Sequence, residues 1–302
     1  MTPDRPTIRL AAFARLPRTY RDLHVVHSTV DAFGRAHWLL TERPPESRRE
    51  KPYDAVVVTV EDGRPYETHL SAVAASFPSF DALPDGGFVV AEPRSRAHEE
   101  HVQVFDALGR LSWTFRVGDG IEHLLTDEAG DLWVGYFDEG VYGDDELSWP
   151  GLRRWSQTGE PLWTYRPVDG ASEISDCYAL NVSGRSAWAC AYTHFSVLEI
   201  RPDQGVKSRV NKVRGAKGLA VHDRRVALFG GYENDHDRLV IGELTDTGVT
   251  AVTEGLLVRP DGTHLGRRRL VCRGPRIYVQ EEPFTGWEVL DISLQPERPM
   301  AH

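Results

Sequence analysis

Apolar and polar positions along the chain recur in a unit of about 40–50 residues, a period found in propeller-type repeats. Each unit reads as an apolar strand, a Gly/Asp turn, a strand led by a bulky residue, a polar loop and two further strands. The clearest copy begins at Gly120 and runs GIEHLLTDEAG, DLWVGYFDEGVYG, LRRWSQTGE and PLWTYRP. The copy before it rhymes: FPSFDALPDGG, FVVAEPRSRAHEE, HVQVFDALGR and LSWTFRV. Six units cover residues 20–75, 76–118, 119–168, 169–214, 215–254 and 255–294. Short strands at this spacing, separated by Asp-Gly, Thr-Gly and Gly-Arg turns, predict an all-β fold: one six-bladed β-propeller domain over residues 1–302. The sixth unit lacks an outermost strand, and TIRLAAFA at residues 7–14 has no other partner. The N-terminal strand is therefore expected to join the last blade and close the ring, removing exposed sheet edges. Individual strands are neither strictly alternating nor continuously apolar, so this reading rests on the repeat. A pair of β-sandwiches would need a linker near mid-chain, and the sequence shows none.

Composition narrows the function classes. A formal charge of −10 argues against a nucleic-acid partner, which selects basic stripes. The basic runs at residues 48–51 and 267–269 are read as solvated faces. No window has the roughly 18 consecutive apolar residues of a membrane span. The N-terminus lacks the apolar core of a secretion signal, so a cytoplasmic protein is expected. Cys177, Cys190 and Cys272 have no metal-ligand spacing and sit in apolar strands, as buried free thiols would.

Candidate chemistry follows from aligning the second strand of each blade on its leading residue: Trp38, Phe88, Trp133, Trp188, Val226 and Ile277. Four residues on lie Glu42, Glu92, Phe137, Tyr192, Gly230 and Glu281, with Asp138 and Glu139 beside the ring. These positions predict an acidic mouth at the central channel, the default place for a ligand. The loop from Tyr136 to Gly151 is rich in carboxylates and could offer oxygen ligands to a divalent cation such as calcium, although it lacks the spacing of a recognised calcium loop. At the starts of inner strands stand His123, Asp176, Tyr178, Lys217 and His264, ingredients of acid–base chemistry. His194 follows the second strand of blade four. Tyr232, with Asp235 and His236, follows that of blade five. Tyr192, Tyr232, Phe137 and Trp149 would supply aromatic walls. The chain has neither a Gly-x-Ser-x-Gly elbow nor a His-Glu-x-x-His motif, which argues against a serine-nucleophile hydrolase.

Two resemblances attach to these residues. GDLWVGYFDEGVYG, ISDCYALNV and WACAYTHF, within residues 120–200, resemble a set of bacterial, often actinobacterial, propeller-like proteins; that resemblance implies no activity. In architecture the chain is also similar to six-bladed propellers of the gluconolactonase and strictosidine-synthase type. Hydrolytic members of that group hold a divalent cation in the channel with Glu, Asn and Asp, for which Glu42, Asn181 and Asp176 are the nearest residue types here.

The leading expectation is a binding module for a small polar or cationic ligand, or for a partner-protein segment, at the channel mouth. The alternative is a cation-assisted hydrolase or lyase with His123, Asp176 and His194 as candidate catalytic groups. A third reading is a repeat scaffold that recruits proteins through its exposed loops.

Overall fold

The computed structural model describes residues 5–45, 52–96 and 98–294. The chain opens with two short strands, β1 (Thr7–Arg9) and β2 (Ala11–Arg15). Blade one follows as β3 (His24–Val30), β4 (Ala36–Thr41), β5 (Tyr53–Glu61) and β6 (Arg64–Val73). Blade two is β7 (Ser79–Ala82), β8 (Phe88–Ala91), β9 (Val102–Phe105) and β10 (Leu111–Phe115). In blade three, β11 (Ile121–Thr126) and β12 (Leu132–Tyr136) are separated by a one-turn helix, α1 (Asp138–Val141), from β13 (Leu152–Trp155) and β14 (Pro161–Thr164). Blade four is β15 (Asp176–Ser183), β16 (Ser186–Tyr192), β17 (Val197–Arg201) and β18 (Gly205–Arg209). Blade five comprises β19 (Gly218–His222), β20 (Arg225–Phe229), β21 (Arg238–Leu244) and β22 (Val249–Val258). The last three strands are β23 (Arg268–Arg273), β24 (Arg276–Glu281) and β25 (Gly286–Asp291).

Within each blade the strands pair antiparallel in chain order, and β2 pairs antiparallel with β25 to complete the sixth sheet. The fold is a six-bladed β-propeller, closed as expected by an N-terminal strand in the last blade. The closing segment differs in one respect: residues 7–14 do not act as a single strand. Thr7–Arg9 pairs parallel with Leu256–Val258 of β22, giving blade five a fifth strand, and the outer strand of blade six is Ala11–Arg15. Leu10, at the switch between the sheets, is buried and donates its N–H to Val258 O at 2.9 Å. β22 also runs on to Val258, so blade five extends past residue 254.

Burial explains why a period of two was hard to read. The second strands β4, β8 and β12 are buried at every position, because neighbouring blades cover both faces. The outer strands β10 and β14 are mostly exposed. Trp38, Trp133 and Trp287 fill the spaces between sheets and are fully buried. The repeated turns have one construction. Asp31 Oδ1 accepts the N–H groups of Phe33 and Arg35, and Asp106 Oδ1 accepts those of Leu108 and Arg110. Gly109 in the second of these turns has φ +75°, and a Cβ there would lie 1.9 Å from His69 O, so only glycine fits.

All six inner strands run from one face of the ring to the other. At their C-terminal ends the channel is closed by buried polar side chains. Arg273 donates to Asp81 Oδ2 at 2.5 Å, to Thr126 O at 2.5 Å and to Val30 O at 3.2 Å. Asp81 Oδ2 also accepts the Thr126 N–H at 2.7 Å. Asn181 donates to Leu219 O and Gly274 O and accepts the Gly274 N–H. All six blades meet in this floor. Among the described residues no helix is long and apolar enough to cross a membrane.

Candidate functional site

Above that floor, at the N-terminal ends of the inner strands, lies a funnel of about 430 Å³. Its wall is built from His27 and Ser28 of β3, Glu122 and His123 of β11, Tyr178 of β15, Lys217 before β19, and Arg268, Arg269, Leu270 and Val271 of β23. Phe229, Gly230, Gly231 and His236 complete it from the end of β20 and the loop beyond. Gly230, at φ +99°, lets the chain turn sharply out of β20 so that His236 returns to the rim.

The charges in the wall are unevenly matched. Lys217 Nζ lies 3.6 Å from Glu122 Oε1 and 4.0 Å from the centre of the Tyr178 ring, an ion pair backed by a cation–π contact. Arg268 is paired with Asp237 at 2.5 Å and lies over the Phe229 ring. Arg269 has no carboxylate within 4 Å among the described residues. It donates to Ser28 Oγ at 3.3 Å and Val26 O at 3.1 Å and stacks on Phe284 at 4.1 Å. Burial and, secondarily, Arg267 bring its guanidinium down to about 10, so it stays charged at neutral pH. Burial and then the Arg269 charge hold the His27 imidazole down at about 3, so it is neutral. Burial also lowers His123, opposed by Glu122 and reinforced by Lys217. His27 Nδ1 and His123 Nε2 are buried and have no hydrogen-bond partner.

Asp176 sits beside the funnel, where β15 begins. Its Oδ1 is buried without a partner. Burial lifts the carboxyl to about 6; Lys217 opposes this, and Glu122 and Asp138 add to it. The sign of the linkage is definite. An acid raised in the folded state favours folding fully below the unfolded value near 4, and that contribution is lost as pH rises through about 6. Asp176→Asn is therefore expected to stabilise the protein above pH 6, by on the order of 2 kcal/mol. Near pH 4 the gain should vanish. Thermal melting of both proteins across pH 4–8 checks this, and parallel curves for the two would contradict it.

Of the residues singled out from sequence, His123, Tyr178, Lys217, Gly230 and His236 line the funnel. Tyr192 and Tyr232 form an aromatic arc on its rim: Tyr192 stacks on Tyr178 at 6.0 Å, and Tyr232 donates to the Tyr178 hydroxyl at 3.0 Å. Phe195, unforeseen, packs edge-on to all three. The rest lie elsewhere. Glu42 is exposed in a groove of blade one with Tyr53 and His69. Glu92 accepts the Ser76 N–H in a second groove. Glu281 is clamped by Arg259 at 2.6 and 2.9 Å. Tyr136 is buried, its hydroxyl donating to Val117 O. Phe137 lies under Arg94, which also pairs with Glu139 at the start of α1, next to Asp138. His194 meets Ser172 Oγ at 3.1 Å outside the funnel, and His264 is exposed, 3.5 Å from Asp237. For Glu42, Glu92 and Glu281 the reason is geometric: a second strand lies about 4.8 Å outside the inner one, and of these strand ends only that of β20, at Phe229 and Gly230, reaches the funnel.

The acidic mouth is thus dispersed, and Glu92, Glu139 and Glu281 are held by other groups while Glu42 is exposed. Asp145 in the loop between Tyr136 and Gly151 receives Arg116 at 2.7 and 2.8 Å. Among the described residues no three His, Cys, Asp or Glu side chains come together as metal donors. The lactonase-like set does not assemble either: Asn181 is used up in the channel floor, and Glu42 faces the blade-one groove. Those residues do not fit a channel cation. The three thiols are buried and free, and burial pushes Cys190 and Cys272 up to about 12 and about 11, far from a neutral-pH nucleophile.

Sequence reasoning missed His27, Ser28, Glu122 and Arg269. Residues 48–51 of the first basic run lie outside the described residues. The second run, read as a solvated face, enters β23 and places Arg268 and Arg269 in the funnel wall. The available signal was position for two of them: Glu122 and Arg269 are the second residues of inner strands, close to where His123 and Tyr178 stand, whereas His27 and Ser28 lie in the middle of β3.

Other grooves are larger. The one between blades four and five, about 560 Å³, has its cations paired: Arg209 and Arg201 with Glu199, and Lys207 with Asp246.

No protein-family model matches the chain, and no curated protein is similar to it in sequence. Solved structures are similar in shape. KlHsv2 with loop 6CD replaced by a Gly-Ser linker is 9% identical with a TM-score of 0.51, over 92% of this chain and 83% of that one. The Cps50 (Swd1) β-propeller domain of Myceliophteria thermophila is 10% identical with a TM-score of 0.50, over 89% and 83%. Virginiamycin B lyase from Staphylococcus aureus is 11% identical with a TM-score of 0.48, over 93% and 88%. At such identities likeness extends to fold and not to chemistry. The chain is a β-propeller.

Proposed function

We propose that this protein is a binding module for a small polar molecule that enters the funnel on the face where the inner strands begin. The observation that carries the reading is a blind pocket: a floor sealed by Arg273, Asp81 and Asn181 lies beneath a wall bearing Lys217, Glu122, His123, His27 and Arg269. A sealed floor excludes a through-channel for a threaded segment and favours a compact ligand. Tyr178, Tyr192 and Tyr232 offer ring faces at the entrance.

The test is a thermal-shift screen with anionic, zwitterionic, cationic and neutral metabolites, on the native chain and on Lys217→Ala/Tyr178→Ala. At least one compound is expected to raise the native melting point by several degrees and to lose that effect in the variant. Compounds that stabilise both equally, or none that stabilises either, would count against the funnel as a site.

A catalytic reading is supported by one observation. Asp176, half-protonated near pH 6, feels the same Lys217 and Glu122 charges as His123, whose imidazole burial lowers, so an acid and a base sit around one ion pair. On this reading Asp176→Asn abolishes turnover of any funnel ligand while leaving its binding in place.

A further inference from the structure

The funnel holds three cations, and two of them have carboxylate partners, Lys217 with Glu122 and Arg268 with Asp237. Arg269 is the third and has none among the described residues. Leaving a guanidinium recessed and unmatched is costly, since removing a charge from water is repaid only by an opposing charge and good hydrogen bonds. Two of its five N–H donors are used, on Ser28 Oγ and Val26 O, so three remain.

Its position is nonetheless fixed from several sides. The Phe284 ring supports one face of the guanidinium. Ser28, which accepts from Arg269, donates in turn to Gln280 Oε1, and Gln280 donates to Phe284 O at 2.8 Å. Trp38 Nε1 donates to the same carbonyl at 3.0 Å. Ser28, Gln280, Phe284 and Trp38 thus form a connected support. A cation that the fold orients with this care but does not neutralise is prepared for an anion from outside. The neighbouring neutral His27 adds no competing negative charge, and its unpartnered Nδ1 leaves polar capacity beside the same wall.

We propose that the funnel's ligand carries a terminal oxyanion, a carboxylate or a phosphate, and that Arg269 binds it through its planar fork. This inference rests on the funnel being the ligand site. It replaces the cationic ligand expected from the glutamates, which the fold spends on Arg259, on the Ser76 N–H and on the blade-one groove. A fork of parallel N–H donors matches carboxylate and phosphate oxygens, whereas a lysine would act only as a point charge.

The experiment titrates inorganic phosphate and acetate, at constant ionic strength, into the native chain, Arg269→Gln and Arg269→Lys. Melting temperature and the Arg side-chain Nε–H resonances are followed together. Saturable binding in the native chain is expected, at least tenfold weaker in Arg269→Gln and intermediate in Arg269→Lys. Phosphate binding more tightly than acetate would identify a phosphorylated ligand, and the reverse a carboxylic acid. Without anion, Arg269→Gln should melt within about 2 °C of the native chain or above it, because it removes an unmatched, half-buried charge. A purely structural arginine would instead lower the melting point and leave anion binding unchanged.

If neither anion binds saturably up to 100 mM, or if Arg269→Gln binds as tightly as the native chain, the oxyanion assignment is wrong. Should the metabolite screen then still find a neutral or cationic ligand that depends on Lys217 and Tyr178, the funnel remains the site and only the oxyanion is lost. If that screen is empty as well, both readings fail.

Discussion

Arg273→Met is expected to lower the unfolding free energy by about 3–5 kcal/mol, because it strands the fully buried Asp81 carboxylate. Arg273 donates to Asp81, Thr126 O and Val30 O, so its loss also leaves two backbone carbonyls of the channel floor without that donor. For a chain of this size the shift in melting temperature should be roughly 10 °C. A second substitution separates charge from shape. Asp81→Asn keeps an oxygen for the Thr126 N–H and removes the charge, so Arg273→Met/Asp81→Asn should recover most of the loss. Urea unfolding of the native chain, both single variants and the double variant completes the cycle. If the two single losses simply add, Arg273 and Asp81 do not act as a pair.

Removing the first 16 residues is expected to have the other large effect. The deletion takes away seven cross-strand pairings with β22 and β25 and exposes the edges of both strands. It also removes the buried Leu10 and Leu16 and the Phe13 ring that packs 4.8 Å from Tyr278. Loss of a single buried leucine side chain typically costs about 2–5 kcal/mol, so the deletion should cost more than either Leu10→Ala or Leu16→Ala alone. Newly bare strand edges should drive association. Size-exclusion chromatography is expected to show larger species, and melting should occur well below that of the full chain. A truncated monomer with an unchanged melting point would mean that closure contributes little.

How far the sequence could be read depends on what each feature encodes. The blades were legible because their turns repeat chemically: Asp31 and Asp106 build the same loop, and the bulky leaders Trp38 and Trp133 occupy the same inter-sheet position. The missing outer strand of blade six was legible from counting strands. The division of residues 7–15 between two sheets was not, since Thr7–Arg9 and Ala11–Arg15 look like one continuous strand. The site was only half legible. His123, Tyr178 and Lys217 came from inner-strand starts and do line the funnel. Glu42, Glu92 and Glu281 came from second-strand ends, one strand too far out. Arg269 was hidden inside an Arg-Arg-Arg run that reads as a solvated stripe. Only the alternation of β23, seen against its neighbours, tells Arg268 with its Asp237 from Arg269 without a carboxylate.

The division of the N-terminal segment has a consequence for the order of events during synthesis. Thr7 finds its register at Leu256, and Ala11 finds its own at Val289. At about 5–20 residues per second, the first strands made wait tens of seconds on the ribosome for their partners to appear. Blades one to four can form in that interval from local hairpins, while the head of the chain stays unpaired beside them. Bringing the two ends together is therefore expected to be the final step, and it carries the longest loop closure in the molecule. Until then the strands Thr7–Arg9 and Ala11–Arg15 have no partners, and a nascent chain stalled before residue 249 should remain in that state, vulnerable to proteases at these strands.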